Sequence, residues 1–244
     1  MRMTSHIAKV LLLGVLLASP SVTASFDFYY LVLLWPGSYC GQSKCCRPTN
    51  GLPQKDFLLR GLWTYNSATG EPVTRCERIP FDYNQISSLS GELVSYWSNI
   101  RCPSNDGKSN WKNAWKTYGV CTGQSLREYF KTALDLRSEV DLLSHLTRKG
   151  IVQDKYKQYS VLEIEKAIAE GIGATPLIQC SKGRSGAFQL YQVYICVDEA
   201  AEKVIECPVK PEFYCPPTVL FPPFDYSNFV GPRGEKTKMP LSIE

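Results

Sequence analysis

Arg60 stands three residues before Trp63, and Lys116 lies next to Trp115 and five residues after Trp111. A guanidinium grips a phosphate through two parallel hydrogen bonds, an ammonium acts as a point charge, and an indole face carries a stacked base. These residue types suit the holding of a phosphate ester. Each also has a plainer reading: Arg60 can meet solvent or a neighbouring acid, Lys116 can lie on a solvated helix face, and large aromatics among cysteines usually supply core area.

Breaking a phosphodiester asks for something else: a base for the attacking hydroxyl, an acid for the departing oxygen, and positive charge on the phosphoryl oxygens. Histidine suits the first two because it exchanges protons near neutrality. The chain has two histidines. His6 falls in an expected export leader over residues 1–24, where Arg2 and Lys9 flank an apolar run from Val10 to Leu17 and Val22-Thr23-Ala24 offers a cleavage site. His145 is left, in the stretch Asp141-Leu142-Leu143-Ser144-His145-Leu146, whose leucines suggest packing, and no positioned partner is visible for it.

The leader implies a secreted protein, extracellular or vacuolar by way of the secretory pathway. Its apolar run is too short to span a bilayer and nothing downstream replaces it, so no membrane association is expected. Without Arg2 and Lys9 the formal charge falls from +4 to +2, too little for a general affinity for polyanions. Ten cysteines, Cys40, Cys45, Cys46, Cys76, Cys102, Cys121, Cys180, Cys196, Cys207 and Cys215, follow the leader. An even number in an exported chain favours disulfides, and without a C-x-x-C pair a zinc site is not expected. No other metal or cofactor is expected, and the sequence does not identify a protein partner.

The elements that must position these groups are legible in part. Phe26 to Leu34 is aromatic and β-branched-rich and is expected as a buried strand stopped by a turn at Trp35-Pro36-Gly37. Phe57 to Trp63 is a second strand candidate. Ser125, Ser138 and Ser160 each precede an acid by three residues, which predicts helices near 125–136, 139–149 and 161–170, with Gly150 and Gly171 ending the last two. Strands return over Thr175 to Cys180 and Leu190 to Val197, around a Gly/Ser turn at 181–187. Strands at both ends with helices between predict a single α+β domain over residues 25–224, followed by a flexible tail over 225–244.

The order Leu34-Trp35-Pro36-Gly37-Ser38-Tyr39-Cys40, Cys45-Cys46, Gly61-Leu62-Trp63, Trp111…Trp115…Gly119-Val120-Cys121 and Gln189 to Asp198 resembles the ribonuclease T2 family of plants, of the S-like type, from about Asp27 to Phe224. The resemblance implies a central antiparallel sheet flanked by helices. It also implies metal-free RNA cleavage through a 2′,3′-cyclic phosphate. The family segment I-H-G-L-W-P reads here Leu59-Arg60-Gly61-Leu62-Trp63-Thr64, with Arg60 in the histidine position. The segment F-W-x-H-E-W-x-K-H-G-T-C reads Asn110 to Cys121, with Asn113 and Tyr118 in the histidine positions, Ala114 in the glutamate position and Thr117 in the lysine position.

Arginine stays protonated, asparagine and alanine do not titrate, and an ordinary tyrosine is a poor base at neutral pH. The expectation is therefore a family member that does not cleave RNA and has a storage, stress-related or interaction role. Weak binding of RNA or nucleotides by Arg60, Trp63, Lys116 and Tyr118, or residual cleavage, are the alternatives. Lys116 stands one position from the family lysine, which rotates it by about 100° on a helix. Leu34 replaces a glutamine that family members often use in reading a base. The resemblance further implies the pairs Cys40–Cys45, Cys46–Cys102, Cys76–Cys121, Cys180–Cys215 and Cys196–Cys207, a connectivity that spacing alone does not select.

Overall fold

A computed structural model describes residues 25–231; the expected leader and residues 232–244 of the expected tail lie outside the described residues. The architecture grows from β1 (Phe28–Leu34), in which all seven residues are buried. Successive strand side chains point to opposite faces. Tyr29, Leu31 and Leu33 thus join the main core while Phe28, Tyr30 and Val32 join a second apolar layer, and β1 is covered on both sides.

Pro36 does not make a turn as expected but opens α1 (Pro36–Gln42), at a position where its missing N–H costs nothing. Next along the chain come β2 (Leu58–Asn66), β3 (Glu71–Pro72), α2 (Ser90–Tyr96), α3 (Lys108–Thr117), α4 (Leu126–Val140) and α5 (Leu142–Arg148). They are followed by β4 (Gln158–Ser160), α6 (Val161–Ile172), β5 (Leu177–Lys182), β6 (Phe188–Asp198), β7 (Val204–Ile205) and β8 (Thr218–Leu220). The result is an α+β fold with a central sheet. Its order is β3-β2-β1-β6-β8-β4, with β5 and β7 also paired to β6, and every pairing is antiparallel except β6 with β8.

Helix α4 lays Leu126, Tyr129, Phe130, Ala133, Leu134, Arg137 and Val140 inward at helical spacing, and the buried Tyr129 hydroxyl donates to the Leu62 carbonyl of β2 at 2.8 Å. Its start is a full capping box: the Ser125 side chain accepts from the Glu128 N–H, and the Glu128 carboxylate accepts from the Ser125 N–H. Replacing Ser125 by alanine is expected to cost about 1 kcal/mol, read from chemical denaturation.

The Ser125 backbone N–H, and to a lesser degree the Ser125 hydroxyl, hold the Glu128 carboxyl below its ordinary value. This contribution to stability is present above the ordinary carboxylate range and is lost as pH falls through the lowered folded value. A Glu128→Gln protein should lack that part of the acid dependence.

Two helix signals differ from expectation. Ser138 lies inside α4, and the break comes at Asp141, whose φ of 27° ends one helix and begins the next. Helix α6 runs past Gly171 to a left-handed cap at Gly173. Gly171 instead meets the His145 ring: an added Cβ would lie 2.0 Å from its Nδ1.

Five disulfides, Cys40–Cys45, Cys46–Cys102, Cys76–Cys121, Cys180–Cys215 and Cys196–Cys207, staple the loops around this sheet. Within the segment expected as a tail, residues 226–228 form a short 3-10 turn, the Tyr226 hydroxyl donates to the Pro53 carbonyl at 2.5 Å, and the Val230 N–H donates to the Cys45 carbonyl at 3.0 Å.

Candidate active-site cleft

Arg60 owes its place to an irregularity in the sheet. Opposite β1, Val32 pairs with Gly61 and Leu33 with Leu59, so Arg60 is the extra residue of a β-bulge. The bulge lets Leu59 and Leu62, three apart, both enter the main core, and it leaves Arg60 exposed between them. Bulges often re-aim a side chain beside a functional site.

Helix α3 supplies the facing wall. Trp111 and Trp115 are each only 1% exposed and anchor it: their indole N–H groups donate to the Trp97 carbonyl at 3.0 Å and the Ile79 carbonyl at 3.2 Å. These two rings are core, not stacking surfaces. Holding them inward presents Asn110, Asn113 and Ala114 on the cleft side, followed by Tyr118 at the helix end.

The resulting cleft has a volume of about 570 Å³. Arg60, Trp63, Asn113, Ala114 and Tyr118 come together there with Leu34 and Tyr39. Lys116 and Thr117 do not line it. Lys116 is exposed in the last turn of α3, outside the lining of the cleft. The cleft is also lined by Arg101, which belongs to no motif in the sequence. Its backbone forms a bridge with Cys45, and the next residue is held by the Cys46–Cys102 disulfide.

Trp63 and Tyr118 stack, with centroids 5.8 Å apart and planes 19° apart. Only glycine permits this at position 61, since an added Cβ would fall 2.0 Å from the Trp63 indole nitrogen. Gly61→Ala is therefore expected to push the indole off Tyr118, cost about 1–3 kcal/mol and alter tryptophan fluorescence; an unchanged melt and spectrum would refute this.

Among the described residues the titratable groups lining the cleft are Arg60, Arg101, Tyr39 and Tyr118, with no histidine, lysine or carboxylate. Burial, then repulsion from Tyr65, raises the Tyr118 phenol above its ordinary value. Behind Arg60, the Tyr194 phenol is pushed up to about 12, mainly by burial, against the pull of the guanidinium. Among the described residues no carboxylate lies within 4.0 Å of Arg60 or Arg101.

His145 lies elsewhere, half-buried on α5 and in contact with Arg148. Burial and the Arg148 charge hold its pKa below the ordinary value. Among the described residues no group of three or more His, Cys, Asp or Glu side chains suits a metal ion, and no described helix is long and apolar enough to cross a membrane.

The sequence pattern of the Ribonuclease T2 family matches residues 26–207. Ribonuclease 1 of Arabidopsis thaliana is 41% identical over 89% of this chain and 98% of its own length. The crystal structure of RNase NT in complex with 5′-AMP superposes with a TM-score of 0.79 at 38% identity, covering 82% of this chain and all of that one. A ribonuclease-like storage protein of Panax ginseng is 28% identical over 83% of this chain and 86% of its own.

Proposed function

The chain belongs to the Ribonuclease T2 family, and we propose that it keeps the family's disulfide-bonded body without its RNA-cutting chemistry, in a storage, stress-related or interaction role. One observation carries this reading: among the described residues, the lining of the cleft contains no group able both to accept and to release a proton near neutrality. Arginine as a residue type offers no proton exchange near neutrality, and burial moves the Tyr118 phenol further from the working range. Residual cleavage with Tyr118 or a carboxylate as base is disfavoured on the same ground, since among the described residues no carboxylate lines the cleft.

Five disulfides suit an oxidising compartment, in keeping with passage through the secretory pathway to the cell exterior or the vacuole. A storage role would ask only for a durable body, and one relative is named a ribonuclease-like storage protein.

Homogeneous protein incubated with RNA beside an active family member should give a rate equal to buffer and no cyclic phosphate product. Cleavage at a rate like the control, with contaminating ribonuclease excluded, would overturn the proposal.

A further inference from the structure

Away from the cleft, a second cavity of about 740 Å³ lies where α1, the turn between β5 and β6, the segment after β8 and the loop before β4 meet, and the two share no lining residue. Its size is that of a small-molecule site, roughly 300–1,000 Å³. Gln189 of β6 lines it and is only 7% exposed, yet its buried amide oxygen finds no hydrogen-bond partner among the described residues. A buried acceptor left unmet forfeits its hydration with nothing in return.

The amide has little room to turn towards another part of the chain. A Cβ added at Gly41 would fall 3.1 Å from its oxygen, and one at Gly183 would fall 2.3 Å from its nitrogen. The missing donor therefore has to come from outside the chain. A half-turn of the amide exchanges oxygen and nitrogen in place, so the same group meets either a donor or an acceptor.

The surroundings of Gln189 describe the rest of the ligand. Arg184 in the turn and Lys155 in the loop before β4 are exposed, and among the described residues no carboxylate lies within 4.0 Å of either. Arg184 is tethered at the edge of the cavity, its Nε donating to the Gln42 carbonyl at 3.3 Å. Among the described residues Asp225 is the one carboxylate of the lining, so two cations stand against a single anion. Tyr156, 80% exposed, sits on a loop fixed by the Asp154 carboxylate, which accepts from the Tyr156 and Lys157 N–H groups at 2.7 Å each.

We propose that this cavity binds an anionic sugar. A pyranose meets the whole set at once. Its hydroxyls donate to the Gln189 amide oxygen and to Asp225, its C–H groups suit the negative face of the Tyr156 ring, and its acidic group meets Arg184 and Lys155. The arginine fork matches carboxylate and phosphate alike. An apolar ligand leaves the amide and both cations unmet, and a simple anion brings no donor to the Gln189 oxygen. Whether RNA is cut in the cleft has no bearing on this site.

The test titrates the disulfide-bonded protein calorimetrically, at constant low ionic strength, with digalacturonate and galactose 6-phosphate as the two kinds of anion and galactobiose as the neutral control. At least one anionic sugar should bind saturably and about tenfold or more tighter than galactobiose, the margin of a charged hydrogen bond, and the better of the two names the anion. Arg184→Gln should weaken that binding about tenfold and Tyr156→Ala about threefold. Lys131→Gln, which removes the same charge from α4, should bind like the unmodified protein.

Gln189→Leu should weaken binding at least about threefold without lowering the melting temperature, because an amide with an unpaired buried oxygen adds little to the fold. A merely structural glutamine would do the reverse. Should that variant fail to fold, Arg184→Gln and Tyr156→Ala, both at exposed positions, still decide. No saturable binding of either anionic sugar up to about 10 mM, galactobiose binding as tightly as both, or Arg184→Gln binding unchanged would each overturn the proposal.

Discussion

RNA cleavage should appear when Arg60→His, Asn113→His, Ala114→Glu, Thr117→Lys and Tyr118→His are combined in one protein. The expected gain is at least about 10² over the unmodified chain, with a cyclic phosphate product and a bell-shaped pH profile, because acid–base catalysis alone is typically worth about 10² to 10⁴. The scaffold is in place for it: the bulge aims position 60 into the cleft, and the two buried tryptophans of α3 fix the flank bearing Asn113 and Ala114. Tyr118 follows at the helix end.

Single exchanges should give far less, since groups that act as a unit are not additive and a base without its acid partner completes no proton circuit. Leu34 also lines the cleft, so base preference should stay weak even in the restored protein. The check is a single-turnover assay on protein that melts like the unmodified chain. A folded five-site variant no faster than its parent would show that something other than these side chains silences the cleft.

What could be seen beforehand divides by the range of the signal. Strands β1 and β6 were visible because they are rich in aromatic and β-branched residues, and α4 because Ser125 and Glu128 cap it within one turn. The sheet's outer members were not: β4 and β8 are three residues each, too short for any period to register, and they exist because they pair with one another and β8 touches β6.

The break at Asp141 carries no cap signal in the sequence, and α6 ends at the left-handed cap Gly173 rather than at Gly171, on which the His145 ring packs. In the cleft, the alignment of Arg60, Asn113, Ala114 and Tyr118 came with the family pattern, whereas the bulge that aims Arg60 depends on strand register. Arg101 is further still from being legible. Forty-one positions separate it from Arg60, and only the closed fold brings both to one cavity.

Asp56→Ala should be among the most damaging single changes away from the cleft, costing about 3–5 kcal/mol, with the lower end expected because Asp56 keeps some solvent contact. Asp56 pairs with Arg137 of α4, their side chains being 20% and 8% exposed. The Arg137 Nε donates to the Phe57 carbonyl at 3.3 Å, and its guanidinium lies 3.9 Å from the Tyr96 ring centroid. Removing the carboxylate strands a charge that the surrounding core cannot hydrate.

The exposed pair Lys131–Asp135 on the same helix gives the contrast. With both side chains 51% exposed, Lys131→Ala should cost no more than about 0.5 kcal/mol. Combining Asp56→Ala with Arg137→Met removes the stranded charge along with its partner and should recover much of the single-site loss, because a buried pair stabilises little over an apolar replacement of similar volume. Denaturant unfolding with the disulfides intact measures all five proteins, the unmodified chain and Arg137→Met alone included. A loss below about 1 kcal/mol for Asp56→Ala, or a double variant as weak as the sum of its singles, would mean that water reaches Arg137 and that this pair is a surface contact in its energetics.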